Sequence, residues 1–230
     1  MIAEAVGLGA HGALGFGAFY PNAWLFGPVV GRGPRGRPEL YLTFDDGPNP
    51  GATDAVLEVL GRHQVPAAFF MVGAHVRQFP AIARRVAGAG HEIGNHTDTH
   101  LRLHGRGPGL IATELGQAHR TIADVVGHEP RAFRAPHGFR NPFVGLAARR
   151  LHYRVFGWTF GVWDSARPGA EVIRRRTRAG LKPGAIILLH DGDGYDPLGD
   201  RSQTAAALSG IIRDAGEAGY RFRPLGDLLS

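Results

Sequence analysis

The sequence predicts an α/β protein, a parallel sheet with outer helices, closed or nearly closed into a barrel. Three observations predict it. After Pro38, apolar runs alternate with amphipathic stretches to the end of the chain, with no linker and no internal repeat; strands that alternate with helices pair in parallel. Asp45-Asp46, His96, Arg134, Asp164 and His190 all fall at or just after the C-terminal end of an expected strand, the rim on which such folds assemble their chemistry. And 230 residues is a length at which an α/β barrel stays one domain.

Residues 1–37 stand apart from the alternation, and the domain is expected at 38–230. From Ala5 to Gly31 there is no Lys, Arg, Asp or Glu, and the run is long enough to span a bilayer, although Pro21, Asn22 and Pro28 interrupt it. Two readings stay open: segment 5–31 associates with a membrane, or it is an apolar, Gly-rich arm packed on the domain. A secretory signal begins with basic residues, whereas Met1–Gly31 has none and carries Glu4, so a cytoplasmic or membrane-associated protein is expected rather than an exported one. Were the segment a span, Arg32, Arg35 and Arg37 would hold the main domain inside. Gly7-Leu8-Gly9-Ala10-His11-Gly12 matches the dinucleotide fingerprint in form only, since no strand precedes it.

The first strand, 39–44, alternates Leu40, Leu42 and Phe44 and ends at Asp45-Asp46-Gly47-Pro48, so a buried strand delivers two acids into a turn. Further strands are expected at 67–72, 91–95, 131–134, 153–159, 185–190 and 220–223. Helical periodicity lies near 52–63, 74–88, 110–126, 142–151, 170–180 and 203–217. The 35 glycines, about double the usual share of roughly 7%, imply many tight loops.

Composition excludes several classes. With no cysteine there are no disulfides, no thiolate metal sites and no cysteine nucleophile. The net charge of +6 comes mostly from arginine, yet no nucleic-acid module is present. The densest basic run, Arg174–Arg178, lacks interleaved aromatics and reads as a solvated helix face.

The chemistry is carried by a few residues far apart in the chain. Adjacent ionised carboxylates need a cation beside them, and a metal plus an arginine are the usual candidates. Alone, Asp45 and Asp46 also suit a solvated turn. His96-Thr97-Asp98-Thr99-His100 puts two imidazoles four residues apart, which on a helical turn shares one face and one ion. Asp46 then completes two histidines and an acid with open positions. His190 closes the apolar strand Ala185–Leu189 with a group that titrates near neutrality, and Arg134 follows another strand end, placed to pair with Asp45.

Thr43-Phe44-Asp45-Asp46-Gly47-Pro48, His96-Thr97-Asp98-Thr99-His100, Arg134-Ala135-Pro136-His137-Gly138, Asp164 and Leu188-Leu189-His190 together resemble the five ordered motifs of the polysaccharide deacetylases with a NodB-type domain. The resemblance covers residues 38–230. It implies a distorted (β/α)7 barrel and one divalent metal, zinc first and cobalt, nickel or manganese otherwise, used to remove N- or O-acetyl groups from sugars; the expected partner is an N-acetylated amino-sugar glycan or glycolipid. It further implies Asp46, His96 and His100 as metal ligands, Asp45 as general base and His190 as general acid. Arg134 would orient Asp45, Asp164 would orient His190, and the His137 N–H would face the oxyanion.

Two departures bear on specificity. His137 stands where many relatives carry tyrosine, and the fourth motif reads Gly161-Val162-Trp163-Asp164-Ser165, without its first acid and with Ser165 in place of the final tryptophan. That tryptophan normally lines the acyl pocket with the leucine matched by Leu188, and Trp163 or Trp158 is the candidate to replace it. Two rival functions remain. One is a barrel of this fold that only binds glycan. The other is a non-haem iron oxygenase using His96, Asp98 and His190, which leaves Asp45 and Asp46 idle.

Overall fold

The computed structural model describes residues 12–229. The front of segment 5–31 and most of the dinucleotide-like match lie outside the described residues. Its organising strand is β1 (Glu39–Asp45), flanked by β2 (Ala67–Met71) and β7 (Ala185–His190). Outward from these lie β3 (Glu92–Asn95), β4 (Ala132–Phe133) and β5 (Arg154–Val155) on one side and β6 (Phe160–Gly161) on the other; β8 (Arg221–Phe222) pairs the start of β1. Every pairing between these strands is parallel.

β1 shows why this order is stable. Side chains alternate between faces, so Leu40, Leu42 and Phe44 enter one cluster with Val56, Leu60, Leu208 and Ile211. Tyr41 lies in another cluster with Phe70, Phe156 and Ile186, and the alternation puts Thr43 and Asp45 on the same face as Tyr41. Each fully buried apolar side chain contributes about 1.5–3 kcal/mol, which fixes the register and thereby aims Asp45 at the rim.

The helices are α1 (12–19), α2 (Ala52–His63), α3 (Gly73–Gln78), α4 (Pro80–Gly88), α5 (Pro108–Val126), α6 (Pro142–Arg150), α7 (Ala170–Gly180) and α8 (Ser202–Glu217). The single helix expected over 74–88 is broken in two. Phe79, at φ −128° and ψ 56°, is non-helical because Pro80 bars the residue before it from the α region and has no N–H to donate.

Of the strand expected over 153–159 only β5 forms within those bounds; β6 follows just past them, and the two sit on opposite edges of the sheet. β5 pairs β4, β6 pairs β7, and residues 156–159 cross between them. The N-terminal arm stands in that gap. Val30 bridges Phe156 and Arg32 bridges Ala185; the Gly157 N–H donates to Val30 O at 3.0 Å and the Gly33 N–H to Gly184 O at 2.8 Å. Thr159 Oγ1 donates to Gly31 O at 2.8 Å, so segment 22–33 is hydrogen-bonded into the barrel wall. Among the described residues no helix is long and apolar enough to cross a membrane. In the basic run, Arg174 is paired with Asp214 at 2.8 Å and Arg176 donates to Val162 O at 3.0 Å, which ties α7 to its neighbours.

Candidate active site

β1 and β7 run in register, with Asp45 beside His190. One strand end therefore brings the carboxylate pair to the rim and the adjacent one brings the imidazole. At Asp46 the backbone turns to φ 77°. Asp46 Oδ1 then lies 3.3 Å from His96 Nε2 and 3.1 Å from His100 Nε2, while Asp45 Oδ2 stays 3.7 Å from His96 Nε2.

His96 and His100 are not on a helical turn, contrary to the expectation from their spacing. They converge through an irregular loop after β3, with Thr97 at φ 69° and His100 at φ 57°. Neighbouring side chains hold that conformation. Asn95 Oδ1 accepts from the Thr97 N–H at 2.7 Å, and Glu114 on α5 accepts from the N–H groups of Asp98 and Thr99 and from the Thr99 hydroxyl. A hydrogen bond to a charged group contributes about 1.5–3 kcal/mol net of the water it replaces. Glu114→Ala is therefore expected to destabilise the protein by about 3 kcal/mol and to weaken metal retention, read by thermal unfolding and metal titration. An unchanged unfolding temperature would show that the loop holds itself.

The chemistry of the donor set fits a metal ion. His96 Nδ1 sits 2.8 Å from Arg134 O, so its N–H donates there and Nε2 presents a lone pair to the cavity. Asp46 Oδ1 is buried without a hydrogen-bond donor, and buried His100 Nδ1 also lacks a partner. Lone pairs facing one another at these distances repel unless a cation lies among them. One ligand atom from each of the three residues falls within 4.8 Å of the others, a two-histidine, one-carboxylate set that leaves coordination positions open.

Arg134, fully buried on the site's inner side, donates through Nη1 to Asp45 Oδ1 at 2.6 Å and to Thr43 Oγ1 at 2.9 Å. Its Nη2 donates to Gly157 O at 2.8 Å, and the guanidinium lies 4.1 Å over the Phe70 ring. Burial lowers its pKa and the Asp45 carboxylate opposes that. The pair leaves Asp45 Oδ2 as the oxygen that faces the cavity.

On the opposite wall, His190 Nδ1 donates to Asp164 Oδ1 at 2.9 Å, and its backbone N–H donates to Asp164 Oδ2 at 2.7 Å. Thr204 on α8 completes the carboxylate's partners at 2.9 Å. Burial disfavours a charged His190, but the Asp164 carboxylate outweighs it with help from Asp46 and Asp45, and the imidazole is pushed from 6.5 up to about 9. Its contribution to stability is complete below about 6.5 and is lost as pH rises through about 9.

Residues 32–156 match the family profile described as polysaccharide deacetylase. The chain belongs to the polysaccharide deacetylase family. It is 39% identical over 203 residues to a chitooligosaccharide deacetylase of Sinorhizobium fredii, covering 86% of this chain and 94% of that one. A peptidoglycan-N-acetylglucosamine deacetylase of Bacillus cereus is 36% identical, covering 88% of this chain and 93% of that one. The solved Bc1960 peptidoglycan N-acetylglucosamine deacetylase superposes with a TM-score of 0.81 at 28% identity, covering 86% of this chain and 91% of that one. The parallel, incompletely closed sheet is thus the (β/α)7 barrel of this family.

In this deacetylase Asp46, His96, His100, Asp45 and His190 line one cavity of about 240 Å³. His137, Trp158, Ser165 and Leu188 complete it with residues the sequence did not single out, Asp193, Gly194, Tyr195 and Arg201. Tyr195 Oη lies 3.2 Å from His137 Nε2, and its ring packs edge-on to His100 at 4.9 Å between centroids. Burial, with the nearby His100 and Arg102, lowers His137 to about 4, so it stays neutral at neutral pH. Trp163 is placed differently from a buried acyl wall: its side chain is 73% exposed and borders an adjoining groove.

Asp98 corrects the oxygenase alternative. Arg77 clamps both of its carboxylate oxygens at 2.6 and 3.0 Å, outside the cavity. Held there, it cannot ligate an ion at His96. Of eight non-glycine residues with positive φ among the described residues, Asp46, Thr97, His100 and His137 belong to the cavity or the loop that shapes it, where such backbone strain concentrates when geometry serves chemistry.

Proposed function

We propose that this carbohydrate deacetylase removes acetyl groups from N-acetylated amino sugars, holding one divalent ion on Asp46, His96 and His100. Zinc is the first choice for that ion, ahead of cobalt, nickel and manganese. The observation that carries the proposal is the meeting of those three ligand atoms within 4.8 Å, with Asp45 and His190 on the same cavity. Bound there, the ion supplies Lewis-acid polarisation of the acyl carbonyl and acidifies water. Asp45, its Oδ1 engaged by Arg134, uses Oδ2 as the base that takes the proton of the attacking water. His190, kept cationic by Asp164, gives a proton from Nε2 to the amide nitrogen as the C–N bond breaks. The N–H groups of Gly138 and Phe139 return to Ala135 and Pro136 carbonyls; the His137 N–H, just before them in the chain, is the donor assigned to the developing oxyanion.

Chito-oligosaccharides, peptidoglycan fragments and lipid-linked amino sugars are the substrates to screen. Acetate release is expected from at least one, abolished by chelation and restored by zinc or cobalt. Glycan binding without acetate release under every metal would leave a binding barrel instead. The pH profile tests the acid. Asp164→Asn removes the largest support of the His190 cation, so the alkaline limb of kcat is expected to move down toward the ordinary histidine value of about 6.5. An alkaline limb that stays in place removes His190 as the group it reports.

A further inference from the structure

Beside the catalytic cavity lies a second hollow of about 460 Å³ that shares His137, Trp158, Ser165, Leu188 and His190 with it. Its remaining lining differs in character. The catalytic cavity continues into Asp193, Tyr195 and Arg201, whereas the second hollow is walled by Phe19, Pro21, Phe139, Val162 and Trp163. One hollow is thus polar and the other apolar, and the two share His190, the proton donor assigned above.

The apolar wall is built into the fold. Pro21 and Trp158 press on Gly138 so closely that a Cβ there would lie 2.7 and 2.8 Å from them. Asn22 Nδ2 donates to Trp158 O at 2.8 Å, the Arg140 N–H donates to Ala18 O at 3.0 Å, and Phe19 packs edge-on to Phe139 at 5.2 Å. A small residue, Ser165, lies where both hollows meet. The volume is in the range of sites for whole small ligands, roughly 300–1,000 Å³, and far exceeds one methyl group.

We propose that the chain also hydrolyses N-acyl amino sugars whose acyl group is longer than acetyl, with the alkyl tail lying between Phe19, Phe139, Trp163 and Leu188. This rests on the hydrolase reading above. The reaction is the same hydrolysis. The water oxygen bonds to the acyl carbon, the C–N pair leaves on nitrogen and is protonated by His190, and a fatty carboxylate and a free amino sugar are released. Apolar burial favours the longer tail by about fourfold per enclosed methylene.

The test uses the full chain loaded with zinc and glucosamine oligomers carrying acetyl, butanoyl or hexanoyl amides. The hexanoyl-to-acetyl ratio of kcat/KM is expected at or above one. Ser165→Trp, which fills the place where the hollows meet, and Phe19→Ala, which removes a wall, are each expected to lower that ratio at least tenfold. Hexanoate should bind wild type at least tenfold tighter than acetate by calorimetry, and with no such preference in Ser165→Trp. Release of acetate but not of longer acids overturns this inference and leaves the deacetylase reading intact. No release from any amide overturns both. If added sugar units raise turnover while longer acyl groups abolish it, the hollow takes sugar and the proposal fails. Should Ser165→Trp not fold, the wild-type acid series and Phe19→Ala decide alone, and equal binding of hexanoate and acetate to wild type overturns it.

Discussion

Asp45→Asn is expected to lower kcat by roughly 10³-fold while the purified protein keeps the metal content of wild type. Asparagine is chosen because Arg134 is wholly buried and holds Asp45 Oδ1 at 2.6 Å. Truncating one member of a buried ion pair costs about 3–5 kcal/mol, so Asp45→Ala would mix a folding defect with a catalytic one. Asparagine leaves a carbonyl oxygen for Arg134, whose contacts with Thr43 and Gly157 are untouched, and removes only the basicity. Metal retention follows from distance: Asp45 Oδ2 is 3.7 Å from His96 Nε2, whereas Asp46 Oδ1 lies 3.3 and 3.1 Å from the two imidazoles. Acetate release and elemental analysis on one preparation read both quantities. An active Asp45→Asn enzyme contradicts the base; an inactive one without metal makes Asp45 a ligand.

The sequence carried the fold wherever a segment's own pattern decides its structure. β1 and β7 are read from their apolar runs because strands buried on both faces of a parallel sheet need such runs. It failed where a distant partner decides. Nothing within 153–159 says that the chain leaves the sheet after β5 and rejoins it at the opposite edge as β6; that is settled by Val30 and Asn22, more than a hundred residues earlier, seated against Phe156 and Trp158. The candidate site divides the same way. The spacing of His96 and His100 is visible, but the left-handed backbone at Thr97 and His100 carries no glycine or asparagine to announce it. Thr204 reaches Asp164 from 40 residues away and Tyr195 leans over from a loop, so neither has a local signal. Glu114 did have one: a carboxylate within the buried stripe Ile111, Leu115, Ala118 and Ile122 of α5 needs polar partners, and it finds the loop that shapes the histidine pair.

His96→Ala is expected to lose both metal and activity, and its sharpest readout is not activity. An ion that binds only the folded chain stabilises it by about 2.7 kcal/mol when free metal is a hundred times its dissociation constant. Wild type should therefore unfold at a higher temperature when zinc is added after chelation, and His96→Ala should not. The variant also strips Arg134 O of its buried donor at 2.8 Å, a loss of about 1–3 kcal/mol that persists without metal. The two effects separate because one depends on zinc and the other does not. His100→Ala loses no hydrogen bond at Nδ1, although it gives up its ring packing on Tyr195; whatever that costs the apo protein, the response to zinc should disappear. A zinc-dependent rise that survives in both variants would place the ion elsewhere, and with it the reaction assigned to Asp45 and His190.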